Sequence, residues 1–187
     1  MTCLVPDALP TLAAPADDER AIQITDRPFR RFGRTVIASF QVQATPHRVF
    51  SVLTDHAHMA EFMPMVDDVR VLASYPGGAR VRFHVRYLGL FDIVEVDERT
   101  FVPDRRITWH ATDGPLAVSD GSWAITARGP RGAAVVYQTD VDPGVPIPSG
   151  LTAMIMQRGL REFLDGIRRR IEGDGTWRKP GYRPVGG

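Results

Sequence analysis

Two histidines one residue apart, His56 and His58, stand before Glu61, Asp67 and Asp68, a set of side-chain types able to bind a divalent metal. Positions i and i+2 of a helix point apart, so the pair reads as a solvated helix start and no metal site is expected. Tyr87 and Tyr137 offer different chemistry. Each is in register with apolar neighbours, Phe83 and Val85 for the first and Val135 for the second, and so turns a hydroxyl toward the interior. Such a hydroxyl could meet a ligand carbonyl or quinone oxygen, or act as proton donor or acceptor. It could equally reach backbone, water or the rim of a sheet. Arg80, Arg82 and Arg86 form a row that could hold an anion, but the acids Asp92, Glu95 and Asp97 on the following segment suit a solvated outer face with cross-strand ion pairs. The sequence has no nucleophile elbow, phosphate loop or dinucleotide glycine motif. Local spacing suggests no Ser/His/Asp or Cys/His set, although such sets also assemble from distant positions.

The remaining candidates are apolar. Phe40, Phe62, Phe83, Trp109, Trp123 and Phe163, with Met63, Met65, Met154 and Met156, could line a ligand cavity or simply fill a closed core. Which of these they do depends on the elements that carry them. Residues 34–42, RTVIASFQV, alternate with the period of a strand. Thr45 can cap a helix that begins at Pro46, where the missing N–H costs nothing, and Val49, Phe50, Val52 and Leu53 carry it to residue 54. Residues 56–63 read as a second short helix, ended by Pro64. Six strand candidates then follow at 66–75, 79–89, 91–102, 105–112, 117–128 and 133–142, joined by short Gly- and Pro-rich connections that suit an antiparallel meander. A long amphipathic helix closes the pattern. Ser149 is its candidate N-cap, and Leu151, Met154, Ile155, Leu160, Phe163, Leu164, Ile167 and Ile171 make its apolar stripe.

A sheet of seven antiparallel strands with one helix to cover it must curl to bury its apolar face. In DGPLAVSDGSWAIT, residues 113–126, Gly114 and Gly121 are the expected bend points, with Trp123 and Ile125 returning to the inner face. A gap between curled sheet and helix is where an apolar ligand would sit.

Length and composition bound the rest. The chain has 187 residues, 43% hydrophobic and 24% charged, as expected of one globular domain with decorated ends. A net charge of +1 gives no bulk field that would favour nucleic acid or an anionic membrane. Cys3 is the sole cysteine, so no intramolecular disulfide can form. The first residues lack the pattern of a signal peptide and no run is long enough to span a membrane, so a cytoplasmic protein is the default expectation. Residues 1–33 and 173–187 read as tails around a ligand-binding domain at 34–172.

The segments ATPHRVFSVLTDHAHMAEFMPMVDDVRVL, RITWHATDGPLAVSDGSWAIT and DPGVPIPSGLTAMIMQRGLREFLDGIRRRIE resemble the first strand and helix pair, the central hairpin and the C-terminal helix of the SRPBCC superfamily. That superfamily includes START lipid-binding domains, polyketide cyclases/dehydrases and coenzyme Q-binding proteins, and GPL…GSW looks most like the last two. The resemblance implies an α+β helix-grip fold, in which a curled seven-stranded antiparallel sheet wraps a long C-terminal helix. It also implies an internal hydrophobic cavity with no obligatory metal, nucleotide or other cofactor. Phe40, Phe62, Met63, Phe83, Val85, Tyr87, Trp109, Trp123, Tyr137, Met154, Ile155 and Phe163 are the expected cavity residues. Three functions remain open: a binding or carrier protein for a polyketide, quinone or lipid-like molecule; a cyclase/aromatase-type enzyme working in the same cavity through Tyr87 or Tyr137; and a module that binds a protein partner through its outer sheet face or tails.

Overall fold

The computed structural model describes residues 21–87, 91–148, 150–151 and 155–183, the side chains of residues 87, 91, 156 and 157 excepted. The strands are β1 (Gln23–Phe29), β2 (Gly33–Val42), β3 (Val66–Tyr75), β4 (Gly78–Tyr87), β5 (Phe91–Val102), β6 (Arg106–Asp113), β7 (Val118–Ala127) and β8 (Ala133–Asp142). They form one antiparallel sheet in the order β1-β2-β8-β7-β6-β5-β4-β3. Between β2 and β3 the chain forms α1 (Pro46–Thr54), a 3-10 turn at His56–His58 and α2 (Met59–Phe62). After β8 a π-helical turn, Ile155–Gly159, leads into α3 (Leu160–Glu172).

The α+β helix-grip architecture matches the expectation, but the sheet has eight strands rather than seven. The added strand, β1, pairs with β2 from Gln23 opposite Ser39 to Phe29 opposite Gly33. It is an edge strand, largely exposed and carrying Arg27 and Pro28, so it lacks the alternation that marks a strand with one buried face. Two helices also differ from expectation. The second helix is split, because Asp55 accepts His58 N–H through its carbonyl at 3.1 Å and faces the His58 ring through its carboxylate at 2.7 Å, tightening the first turn. The long helix is interrupted by its π-helical turn; Ser149 and Met154 lie outside the described residues.

Inward-facing residues pack densely at one end of this sandwich. Leu164, Ile167 and Ile171 of α3 are buried against Val49 and Leu53 of α1, Phe62 of α2, and Ile107 and Val135 of the sheet. Gly166 permits this closeness, since a Cβ there would stand 2.5 Å from the Phe62 carbonyl oxygen. Arg170, 6% exposed, pairs with Glu61 at 3.1 Å, lies over the Phe62 ring and donates to the Trp177 carbonyl at 2.9 Å. The chain after α3 then straps α2 from outside. Lys179 N–H donates to the Glu61 carbonyl, and its ammonium donates to the carbonyls of Met63 at 3.1 Å and Val66 at 2.7 Å.

Candidate ligand-binding cavity

At the other end the sheet and α3 separate around a cavity of about 780 Å³. One wall is aromatic. Trp109, Trp123 and Tyr137 from three adjacent strands pack together, Trp109 stacked on Tyr137 with centroids 5.7 Å apart and Trp123 tilted against Tyr137 at 4.6 Å. Phe163 of α3 closes on this group, 6.1 Å from Tyr137 and 6.4 Å from Trp123. Gly121 makes the stack possible. It lies opposite Trp109, and a Cβ on it would come within 2.2 Å of the indole, so the expected bend point acts as a seat for a ring. The facing wall is aliphatic and thioether: Met59, Met63, Met65, Val66 and Val85.

A charged cluster interrupts the apolar lining. Glu95, Asp97 and Arg99 alternate along β5 with Phe83 and Val81 of β4 beside them, and all three face inward. A bulge between Val96 and Asp97 in the β5–β6 ladder sits within the cluster, a device that re-aims side chains. Ser119 Oγ–H donates to Glu95 Oε1 at 2.9 Å from across the curl. Burial, and then the charge of Asp97, push the Glu95 carboxyl up to about 8, against the opposing hydrogen bond from Ser119. Burial also raises Asp97, opposed mainly by the positive charge of Arg99. The Arg99 guanidinium, 5% exposed, lies 5.3 Å from the Phe83 ring centre and 5.6 Å from that of Trp109, and burial lowers its affinity for its proton. At neutral pH Glu95 therefore holds its proton, beside Asp97 and the Arg99 guanidinium. Glu95 Oε2, Asp97 Oδ1 and Arg99 Nε have no protein partner among the described residues.

Of the residues expected at the cavity, Met63, Phe83, Val85, Trp109, Trp123, Tyr137, Ile155 and Phe163 line it. Phe40 and Phe62 are corrections. Both belong to the dense core: Phe40 lies opposite Val135, one inward row below Tyr137, and Phe62 is covered by α3 and Arg170. The Tyr87 side chain and Met154 lie outside the described residues. His56 and His58 diverge. His58 pairs with Asp55, whereas His56 is buried and stacked on Phe101, its pKa lowered to about 4 by burial and then by the charge of Arg99. Glu61 is engaged by Arg170 and Arg178. Asp67, His84 and Asp92 gather on the outer face, with Arg86 bonded to both acids.

Glu95 and Asp97 are the principal correction, because they were expected on the solvated face with Asp92. Asp92 is exposed and paired with Arg86 at 2.9 Å, although it too borders the cavity, whereas Glu95 and Asp97 on the opposite parity face inward. A signal was present: Phe91, Ile93 and Phe101 share the parity of Glu95, Asp97 and Arg99. Val94, Val96 and Val102 on the other parity obscured it.

A curled antiparallel sheet gripping one C-terminal helix, with an apolar cavity between them, defines the helix-grip class of ligand-binding domains. A sequence model described as polyketide cyclase/dehydrase and lipid transport matches residues 34–172. The chain belongs to this family, within the SRPBCC superfamily. Solved structures share the fold. TTHA0849 from Thermus thermophilus is 21% identical with a TM-score of 0.67, covering 76% of this chain and 99% of its own. The Zhui aromatase/cyclase from Streptomyces sp. R1128 is 21% identical, TM-score 0.65, over 76% and 98%. The STAR-related lipid transfer protein from Xanthomonas axonopodis is 20% identical, TM-score 0.65, over 86% and 97%. No curated protein sequence matches the chain.

Proposed function

We propose that this protein is a binding or carrier protein for one small to medium hydrophobic molecule of polyketide, quinone or lipid-like type, held between the sheet and α3. The observation that supports this reading best is the division of the cavity surface, with walls that are mostly apolar and a polar cluster at Glu95, Asp97, Arg99 and Ser119, besides Arg34, Asp92 and Thr139. A volume of about 780 Å³ falls within the range of roughly 300–1,000 Å³ typical of small-molecule sites. The ligand's apolar body would lie on the Trp109–Tyr137–Trp123 stack and its oxygen-bearing end would meet the cluster. A protonated Glu95 and Arg99 donate to a carbonyl, while Asp97 accepts from a hydroxyl. Native mass spectrometry of the purified protein, organic extraction of any bound compound, and titration with the neutral apolar dye Nile red test the reading. A protein that releases no apolar compound and takes up no dye would sink it.

A second reading, an enzyme of cyclase/dehydratase type, is favoured by one specific observation: two carboxyls, Glu95 and Asp97, face the cavity from one strand, where burial holds the proton on Glu95. An acid and a base set against one bound poly-carbonyl chain could protonate a carbonyl oxygen and remove a neighbouring C–H proton, with the cavity fixing the reactive conformer. In this reading Glu95 takes the donor role that Tyr137 would otherwise fill. Glu95→Gln would then keep dye binding and lose turnover of a poly-carbonyl substrate. Undiminished turnover in that variant excludes Glu95 as the acid.

A further inference from the structure

The mouth of the cavity carries apolar side chains that face water. Val145 is 59% exposed and Ile147 40% exposed, and both lie on a segment stiffened by Pro143, Pro146 and Pro148. Prolines reduce the freedom this segment would otherwise have, so it presents these side chains at little further entropic cost.

Beside this rim stands the turn between β1 and β2, with the sequence Phe29-Arg30-Arg31-Phe32. Its position is fixed by Gly33, which abuts β8 so closely that a Cβ would fall 2.5 Å from the Val141 carbonyl oxygen and 2.9 Å from Asp142 Cβ. Phe32 and Arg34 thereby reach the cavity wall, while Arg30 and Arg31 remain exposed. The two guanidinium groups lie over the adjacent rings, Arg30 on Phe29 at 5.3 Å and Arg31 on Phe32 at 4.9 Å. Asp26 of β1 pairs with Arg34, and Asp142 at the end of β8 accepts the Gly144 N–H at 2.8 Å. The turn residues Arg30, Arg31 and Phe32 lie just before residue 34, where the family match begins.

The geometry points to a docking surface for an anionic lipid bilayer at the cavity mouth, with Arg30 and Arg31 on the headgroup phosphates and Val145 and Ile147 entering the interface between headgroups and acyl chains. Paired cations and aromatic rings beside protruding aliphatic groups fit a soft interface that is anionic outside and apolar beneath. An acidic protein would satisfy the arginines and leave the aliphatic prongs unexplained. No helix among the described residues is long and apolar enough to cross a membrane, so the contact is peripheral. The net charge of +1 means that attraction is local to this end and not a property of the whole molecule. The inference rests on the binding reading above, since it places the opening against a source of apolar ligand.

The test is cosedimentation of the full chain with vesicles of phosphatidylcholine alone or doped with phosphatidylglycerol, with Nile red uptake from vesicle-free buffer measured in parallel. Sedimentation is expected with the doped vesicles, weakened by salt, and reduced by about tenfold or more in an Arg30→Glu/Arg31→Glu variant whose dye uptake and melting curve match the parent. The inference is overturned if doped vesicles bring down no more protein than neutral ones, or if the double variant sediments like the parent. It is also overturned if the hairpin retains polyglutamate but not vesicles, an outcome that assigns it to an acidic protein. Dye uptake without sedimentation removes the docking surface and leaves the binding reading standing, while absence of dye uptake removes the binding reading itself.

Discussion

The two ends of the same sheet and helix are built to opposite specifications. At the closed end Val49, Phe62, Ile107, Leu164 and Ile167 are sealed from solvent, and α3 is drawn down onto α2 at Gly166. At the open end the helix enters through a π-helical turn, the inner row of β5 carries charge at Glu95, Asp97 and Arg99, and Pro143, Pro146 and Pro148 lie along the rim. A π-helical turn in this position is consistent with the tendency of such irregularities to occur at functional sites. The contrast teaches that a domain of this size can separate its cohesion from its capacity. One half of the interior supplies stability while the other tolerates a void and a buried charge cluster that would be costly anywhere else.

If that separation holds, substitutions at the two ends should divide into two kinds of effect. Ile167→Ala, in the sealed half, should lower unfolding free energy by about 2–5 kcal/mol in urea titration while leaving dye affinity per folded molecule unchanged. Phe163→Ala, on the cavity wall, should do the reverse: a smaller loss of stability, because the ring already borders open volume, and a several-fold loss of dye affinity. A large stability loss at both sites would erase the distinction. Gly121→Val should fall between them, costing about 1–3 kcal/mol as the new side chain displaces the Trp109 indole, with a change in tryptophan fluorescence reporting the disturbed stack.

Titration sharpens the comparison further. Glu95, raised to about 8, is protonated in the folded chain and ionised in the unfolded chain between its ordinary value near 4.5 and 8, so it contributes stability that is complete at low pH and lost as pH rises through that window. Asp97, also raised by burial, acts with the same sign. His56, lowered to about 4, acts oppositely, its contribution present above 6.5 and lost as pH falls toward 4. Between pH 6.5 and 8 the Glu95 effect stands clear of His56, and stability should fall by up to about 2 kcal/mol in denaturant titrations. Glu95→Gln should flatten that slope. The smallest effect belongs to the helix surface: Glu162→Gln removes an exposed pair with Arg158 at 3.0 Å and should change stability by less than about 0.5 kcal/mol.

Much of the sealed half was legible in the sequence because its physics is periodic. Ala38, Phe40 and Val42 alternate along β2, Thr45 and Pro46 announce α1, and the stripe through Leu164, Ile167 and Ile171 marks the covering helix. The open half was less legible for the same reason. Alternation assigns charged residues to water, so Glu95 and Asp97 were read outward, and only the register of Phe83 opposite Glu95 and Val81 opposite Asp97 turns them in. β1 escaped notice because an exposed edge strand has no buried face to announce it. The aromatic wall at Trp109, Trp123 and Phe163 was visible as a set of residues, but its assembly depends on which strands lie side by side and on the space left at Gly121.

The strap after α3 gives the molecule an unplanned chemical gauge. Lys179 is the only lysine in the chain, and its ammonium is half-buried and tied to the carbonyls of Met63 and Val66, with burial lowering its pKa. Met63 and Val66 belong to the cavity wall, so any loosening of that wall that frees the strap also releases the protein's single side-chain amine. Acylation by an amine-selective reagent, read as one mass increment on the C-terminal peptide, would count wall openings against time without a label, a mutation or knowledge of what the cavity holds.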